Sequence, residues 1–196
     1  MSQLDPIPYS DAQLRAILER VRTIAMVGAS SNWNRPSYFV MKYLQGKGYR
    51  VIPVNPGIAG QELLGEKVYA SLRDIPDSID MVDVFRPSKD APGIVKDAIA
   101  IGAPVVWMQL GIRNDAAAAL AEQNGIKVVM NRCPKIEYGR LSSEISWMGV
   151  NSRTLTSKRA QISGRGIQRM SLNRTTTAGG ATPGAERAFR EDSGGD

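Results

Sequence analysis

The amino-acid sequence predicts an α/β protein whose parallel sheet is covered by helices on both faces. Five short apolar runs follow one another between residues 23 and 130. Each run is apolar at consecutive positions, which is typical of strands that are buried on both faces. Helical segments separate most of these runs, so the strands are joined by crossovers rather than by tight hairpins.

The strands and helices can be placed in order along the chain. The predicted strands cover residues 23–27, 49–54, 81–85, 104–108 and 126–130. The four main helices are predicted to begin at Ser10, Pro36, Ser88 and Asn114. Pro53 is expected at the end of its strand, because proline cannot donate a hydrogen bond to a sheet. Right-handed crossovers then favour a doubly wound, Rossmann-like sheet of five strands.

Local signals support two of the helices in detail. Ser10 and Gln13 have the spacing of a capping box, which predicts the start of the first helix. Gly48 fits the position just after the end of the second helix. The apolar face of that second helix is predicted to consist of Phe39, Val40, Tyr43 and Leu44.

The chain divides by composition into a domain and a tail. Residues 1–150 are predicted to form one Rossmann-like domain, and residues 151–196 a mostly irregular, disordered tail. Residues 151–180 carry six Lys or Arg and no Asp or Glu. The tail could solubilise the chain, contact nucleic acid or another polyanion, or dock onto a partner or a second protomer in a homodimer. The absence of aromatic residues between its arginines argues against single-stranded nucleic acid.

Composition also restricts the chemistry. The 196 residues contain no histidine and one cysteine, Cys133. This excludes the catalytic triads and dyads that use histidine and the usual zinc sites, so we expect no metal. No apolar run approaches the ~20 residues of a membrane span, and the first residues lack the features of a secretory signal. We therefore expect a cytoplasmic protein without a membrane partner.

The expected ligand site lies beyond the carboxyl ends of the parallel strands, where open sheets of this kind bind ligands. The loops at these five ends are polar or contain Gly or Pro. Their candidate binding residues are Gly28, Ala29, Ser30, Ser31, Asn55, Pro56, Arg86, Pro87, Gln109, Gly111, Asn131, Arg132 and Cys133.

The loop after the first strand predicts a phosphate site. Gly28 allows a tight turn and a close approach of phosphate to the main chain. The start of the next helix, near Arg35–Ser37, presents unpaired N–H groups and the positive end of the helix dipole. Lys42, further along that helix, is a candidate for contact with an additional phosphate, although a lysine on a solvated helix face is an equally good interpretation.

The residues argue against NAD as the ligand. The fingerprint G-x-G-x-x-G is absent, because the loop that begins at Gly28 contains a single glycine. The acidic residue that would bind the ribose hydroxyls at the end of the second strand is replaced by Asn55.

Several motifs, in order and spacing, resemble those of the small CoA-binding domain proteins. These motifs are Val27–Ser31, Arg35–Tyr38, Tyr49–Pro56, Val84–Pro87, Trp107–Gly111 and Asn131–Glu137. The resemblance covers residues 10–145 and extends to the N-terminal CoA-binding domain of the succinyl-CoA synthetase alpha subunit. It implies a Rossmann fold with coenzyme A along the strand ends.

The same resemblance implies a role for each candidate residue. Gly28, Ala29 and Ser30 would face the diphosphate, and Lys42 would meet a phosphate. Asn55 and Pro56 would line the nucleotide side with Arg86 close by. The pantetheine path would be bordered by Gln109, Gly111, Asn131, Arg132 and Cys133.

The sequence favours a binding protein for coenzyme A or an acyl-CoA over an enzyme. The synthetase requires a phosphorylated histidine and a second domain, and this chain has no histidine. Two alternatives stay open: a nucleotide-responsive regulator, and an enzyme of acyl-CoA or nucleotide metabolism that uses Lys135, Glu137 or Tyr138 near the crevice. Cys133 could form a mixed disulfide with the CoA thiol, or sense oxidation if its pKa is low. The alternative is that it is a small, partly buried residue that follows the fifth strand.

Overall fold

The computed structural model describes residues 9–142, so the predicted tail at 151–196 and the domain boundary at 150 lie outside the described residues. The helices are α1 (Asp11–Arg20), α2 (Pro36–Gly46), α3 (Ala91–Ala100), α4 (Asp115–Gln123) and α5 (Pro134–Leu141). The strands are β1 (Thr23–Val27), β2 (Arg50–Val54), β3 (Glu62–Leu63), β4 (Glu66–Lys67), β5 (Met81–Val84), β6 (Val105–Met108) and β7 (Lys127–Val129).

The main sheet has five parallel strands in the order β2-β1-β5-β6-β7. This confirms the predicted five-stranded Rossmann-like α/β fold. The link between β2 and β5 contains the short antiparallel pair β3 and β4 and a short helical turn, Leu72–Asp74. Helix α5 was not predicted.

Each face of the sheet carries its own hydrophobic core. Residues of α1, α2 and α5 pack on one face, around Met26, Met41 and Trp107. Residues of α3 and α4 pack on the other face, around Ile52, Val82 and Val106. The strands are therefore buried on both sides, which is why their sequences are apolar at consecutive positions rather than at alternate ones.

Several predicted helix ends are confirmed. Ser10 and Gln13 form the reciprocal capping box at the start of α1. The Asn114 side chain accepts a hydrogen bond from the Ala117 N–H at the start of α4. Gly48 follows α2 with a φ of 89°, in the left-handed region that favours glycine.

Pro53 lies inside β2 and not at its end, so that prediction was wrong. It pairs in register with Met26 of β1. The strand tolerates it because β2 is an edge strand and the amide positions alternate in direction. Arg50 donates to Arg22 O in the sheet, whereas Asn55 donates outward to Tyr69 O. The Pro53 nitrogen faces this open edge, where no sheet bond is lost.

Two further predictions were also wrong, one on a helix cap and one on a helix face. Ser88 does not cap α3, because a 3-10 turn, Ser88–Asp90, precedes that helix and the Ser88 hydroxyl accepts a hydrogen bond from the Arg113 N–H. Phe39 is 47% exposed, and Met41 takes a place in the core instead. The buried face of α2 is therefore shifted around the helix from the predicted one.

Candidate functional site

The site lies where the strand order reverses, between β1 and β5. The helix after β1 packs on one face of the sheet and the helix after β5 on the other, so the two loops separate and leave a crevice at the carboxyl ends. The crevice has two lobes. The α2-side lobe has a volume of about 660 Å³ and the α3-side lobe about 340 Å³. Gly28, Asn55 and Arg86 line both lobes and mark their junction.

Gly28 is required by the geometry of the junction. Its φ is 90°, a conformation that residues with a side chain rarely adopt. A Cβ at this position would lie 3.0 Å from Phe85 O and 3.1 Å from Arg86 Cδ. The main chain of the β1 loop therefore passes close against the β5 loop, which leaves no room for a side chain.

The loop after Gly28 has unused hydrogen-bond donors. Among the described residues, no acceptor binds the amides of Ala29, Ser30 or Ser31. The first turn of α2 follows this loop, and Arg35, directly before it, makes no ion pair within residues 9–142. Free amides, a helix N-terminus and a free guanidinium together form a cradle for an anion.

Asn55 shapes this loop and uses both ends of its amide to do so. Its Nδ2 donates to Ala29 O at 2.7 Å, and its Oδ1 accepts from the Gly57 N–H at 2.9 Å. It therefore holds the end of β2 against the loop after β1. Arg86, on the opposite side, pairs with Asp90 at 3.0 Å and keeps a half-exposed side chain at the junction.

The floor of the α2-side lobe holds a buried polar pair. Gln109 lines the lobe, and its Nε2 donates to both carboxylate oxygens of Asp83, at 2.9 and 3.2 Å. Asp83 is fully buried in β5. Burial raises the pKa of Asp83 to about 7, although the hydrogen bond from Gln109 acts in the opposite direction.

Cys133 lines the same lobe just before α5 and is buried. Burial raises the pKa of the Cys133 thiol, against the smaller effect of backbone hydrogen bonds from Ile136 and Lys135. A raised pKa keeps the thiol protonated near neutral pH and makes it a weak nucleophile. Oxidation sensing by Cys133 therefore lacks the low pKa on which that hypothesis depends, and the mixed disulfide stays a prediction.

The structure brings together nine of the predicted site residues as lining of the crevice. These are Gly28, Ala29, Ser30, Arg35, Asn55, Pro56, Arg86, Gln109 and Cys133. Ser31 and Pro87 are exposed beside the crevice without lining it, and Lys42 is exposed on α2 outside both lobes.

The other three predicted residues support neighbouring loops. Asn131 Oδ1 accepts from the Gly111 N–H at 2.8 Å, so these two residues join the loops after β6 and β7. Arg132 lies 3.7 Å from Glu137 and over the Tyr9 ring. None of the three lines the crevice.

The residues considered for catalysis do not reach the crevice. Glu137 is buried and pairs with Arg140 at 2.8 Å. The Tyr138 ring packs edge-on against Tyr43 and Tyr49, and Lys135 lies over the Tyr43 ring. They stabilise α5 against α2 and the start of β2, and neither lobe includes them.

Sequence reasoning missed the side walls of both lobes. On the α2 side these are Val40, Phe85, Leu110 and Ile112, beside Pro36 and Ser37 of the predicted helix start. On the α3 side they are Val27, Val54, Ala70, Ser71, Leu72, Asp90, Ile94 and Asp97. Asp83 was missed as well, although a carboxylate in the middle of an apolar strand was a visible signal.

No helix between residues 9 and 142 is long and apolar enough to cross a bilayer. In the same range, no three His, Cys, Asp or Glu side chains are grouped as metal ligands.

Two known proteins are similar to this chain along nearly their whole length. The "Uncharacterized protein YneT" of Bacillus subtilis is 40% identical over 129 residues, which is 66% of this chain and 94% of that protein. A hypothetical protein from Pyrococcus horikoshii OT3 has a structure with a TM-score of 0.67 and 43% identity, covering 72% of this chain and 99% of that one.

The chain also matches part of a much longer enzyme. Subunit alpha of the ADP-forming acetate–CoA ligase I of Pyrococcus furiosus is 34% identical over 89 residues, which is 43% of this chain but only 19% of that subunit. The family model described as "CoA binding domain" matches residues 22–139, the whole of the sheet with its crevice. The predicted resemblance is confirmed: this chain belongs to the CoA-binding domain family.

Proposed function

We propose that the crevice binds coenzyme A or an acyl-CoA. The observation that carries this proposal is the anion cradle at the junction of the lobes. The three consecutive amides of Ala29, Ser30 and Ser31 have no acceptor among the described residues, and the free Arg35 lies next to them. Such a cradle suits a diphosphate, whose oxygens would satisfy several donors at once.

The two lobes suit the two halves of this ligand. The α3-side lobe has polar residues such as Asn55 and Ser71 on its wall and takes the nucleotide. The larger α2-side lobe takes the pantetheine arm along Val40, Leu110 and Ile112, towards Cys133. The diphosphate then lies between them, against Gly28 and the free amides. Family membership and the position of the crevice at the reversal of strand order support this arrangement.

We further infer that the chain acts as a binding protein. The thiol in the α2-side lobe is that of Cys133, and burial raises its pKa. Lys135, Glu137 and Tyr138 are occupied elsewhere, in contacts around α5. The acetate–CoA ligase activity is not carried over to this chain, because the match spans 19% of that ligase subunit.

Isothermal titration of the full chain with CoA, acetyl-CoA and NAD tests the proposal. We expect CoA and acetyl-CoA to bind with one site per chain and NAD to bind far more weakly. An absence of CoA binding at high micromolar concentration, or equal binding of NAD, would contradict the proposal. Turnover of acetyl-CoA under the same conditions would contradict the inference of a purely binding role.

A further inference from the structure

Asp83 occupies a position where an apolar residue would be expected. It lies in β5, the central strand, in register with Met26 of β1 and Trp107 of β6, and its exposed fraction is 0%. A carboxylate among apolar neighbours is unfavourable unless it is hydrogen-bonded. Its presence therefore needs an explanation other than packing.

Gln109 supplies the hydrogen bonds. Its Nε2 donates to Asp83 Oδ1 and Oδ2, and these are the hydrogen bonds of the carboxyl among residues 9–142. An ionised carboxylate can only accept. It therefore holds the NH₂ end of the Gln109 amide towards the sheet and leaves the carbonyl end pointing the other way.

That carbonyl end is available to a ligand. Gln109 Oε1 accepts no hydrogen bond from the described residues. Every fully buried side-chain nitrogen or oxygen in this part of the chain has a partner, so an atom without one is at a surface. Because Gln109 lines the α2-side lobe, Oε1 reaches the wall of that lobe.

We propose that Asp83 is a positioning residue that fixes Gln109 as a hydrogen-bond acceptor for an amide N–H of the pantetheine arm. This rests on the proposed function. Pantetheine contains two secondary amides, and an N–H that loses its water on entering the lobe needs an acceptor. If the Gln109 amide turned over, it would present NH₂ to the ligand N–H, and two donors would face each other. Asp83 thus determines which end of Gln109 the ligand meets.

The test compares two ligands on the full chain at pH 8, where Asp83 is ionised. One ligand is CoA, and the other is 3′-phosphoadenosine 5′-diphosphate, which is the nucleotide half without the pantetheine arm. We expect Q109L to weaken CoA binding about tenfold or more, since a buried donor loses its acceptor, and to leave binding of the nucleotide half unchanged. D83N keeps the size of the side chain but lets the Gln109 amide turn, so it weakens CoA binding selectively by a smaller factor.

The matched control is Q45L, the same substitution on α2 outside the crevice, where Gln45 donates to Leu64 O. It leaves both affinities unchanged. If Q109L weakens both ligands equally, or neither, the proposal is overturned, because Gln109 then has no specific role towards the arm. If the wild-type chain binds neither ligand, the proposed function itself fails. Q109L leaves the Asp83 carboxyl without a hydrogen bond, so unchanged binding of the nucleotide half is the check that this variant is folded. D83N keeps the test valid if Q109L fails to fold.

Discussion

The two ends of the parallel sheet use their hydrogen-bonding groups in opposite ways. At the amino ends of the strands, Asp80 accepts from the amides of Arg22 and Thr23, both at 2.8 Å. Arg50 is held there by Glu66 and Asp77. At the carboxyl ends, the amides of residues 29–31 have no acceptor within the described chain. We call these two regions the amino edge and the carboxyl edge.

The difference separates stability from binding. Polar groups at the amino edge are satisfied within the chain, which favours the folded state. The amides of residues 29–31 at the carboxyl edge are free, and a ligand can satisfy them. The exposed large apolar side chains among residues 9–142, namely Trp33, Phe39, Leu110 and Ile136, also lie in loops and helix starts at the carboxyl edge. A change at one edge should therefore affect stability alone, whereas a change at the other should affect binding.

The largest effect is expected for Gly28→Ala at the carboxyl edge. It combines strain at positive φ, which costs about 1–3 kcal/mol, with overpacking against Phe85 O, which costs a similar amount. We expect the free energy of unfolding to fall by about 4 kcal/mol and CoA binding to be lost, as measured by urea unfolding and calorimetry.

Gly48→Ala is its control. Gly48 has nearly the same φ, 89°, but nothing lies within 4 Å of a Cβ at that position. This variant should lose only about 1 kcal/mol and bind CoA normally. Similar effects of the two substitutions on binding would show that the close approach at Gly28 is irrelevant to the ligand.

The second effect is a pH dependence that originates in Asp83. Its pKa is about 7 in the folded chain and near 3.8 in an unperturbed carboxyl, so between these values the folded state binds more protons than the unfolded state. Stability from this group is therefore highest at low pH and decreases as pH rises to 7. From pH 5 to pH 8 the wild type should lose about 2–3 kcal/mol relative to Asp83→Asn. A constant difference in urea-unfolding free energy between the two proteins would refute this.

The third effect isolates the amino edge. Asp80→Ala removes the acceptor of two backbone amides, and we expect the free energy of unfolding to fall by about 1–2 kcal/mol. The CoA affinity of the folded variant should equal that of the wild type. A weaker affinity would mean that the two edges are coupled through β1 and β5.

The smallest effect is expected for Arg35→Gln, which removes an exposed charge at the carboxyl edge. CoA affinity should fall about tenfold and depend less steeply on salt, with unfolding unchanged. Arg20→Gln is the matched control, because Arg20 is also exposed and makes no ion pair within the described chain. Equal effects of the two variants on affinity would indicate general charge attraction in place of a defined phosphate contact.

Local patterns were sufficient to predict most of the fold. The capping box of α1 and the glycine after α2 involve neighbours in the sequence, and so do the apolar strands. Helix α5 was not predicted, because its buried residues include Pro134, Glu137 and Gly139, which form no apolar stripe. The β3–β4 turn was not predicted, because Leu64 adopts a positive φ there and a leucine in the sequence does not indicate that conformation.

The site was predicted only where it follows the ends of strands. Loop residues such as Ala29 and Gln109 were found in this way. The direction of a helix residue depends on how the helix is rotated against the sheet, so Val40 was placed in the core without its role at the crevice. For Lys42 the sequence left a phosphate contact and a solvated helix face as alternatives, and its side chain is exposed outside both lobes. Asp83 stands out as a carboxylate in an apolar strand, but its role could not be predicted because it depends on contact with Gln109, 26 positions away.

Hydrogen–deuterium exchange with and without CoA tests the contrast between the two edges most directly. The amides of residues 29–31 should exchange rapidly in the free chain, because they have no acceptor there, and slowly once CoA is bound. Peptides covering residues 20–23 and 79–81 at the amino edge should not change. Unchanged exchange at 29–31 in the presence of saturating CoA, or protection confined to the amino edge, would contradict the account.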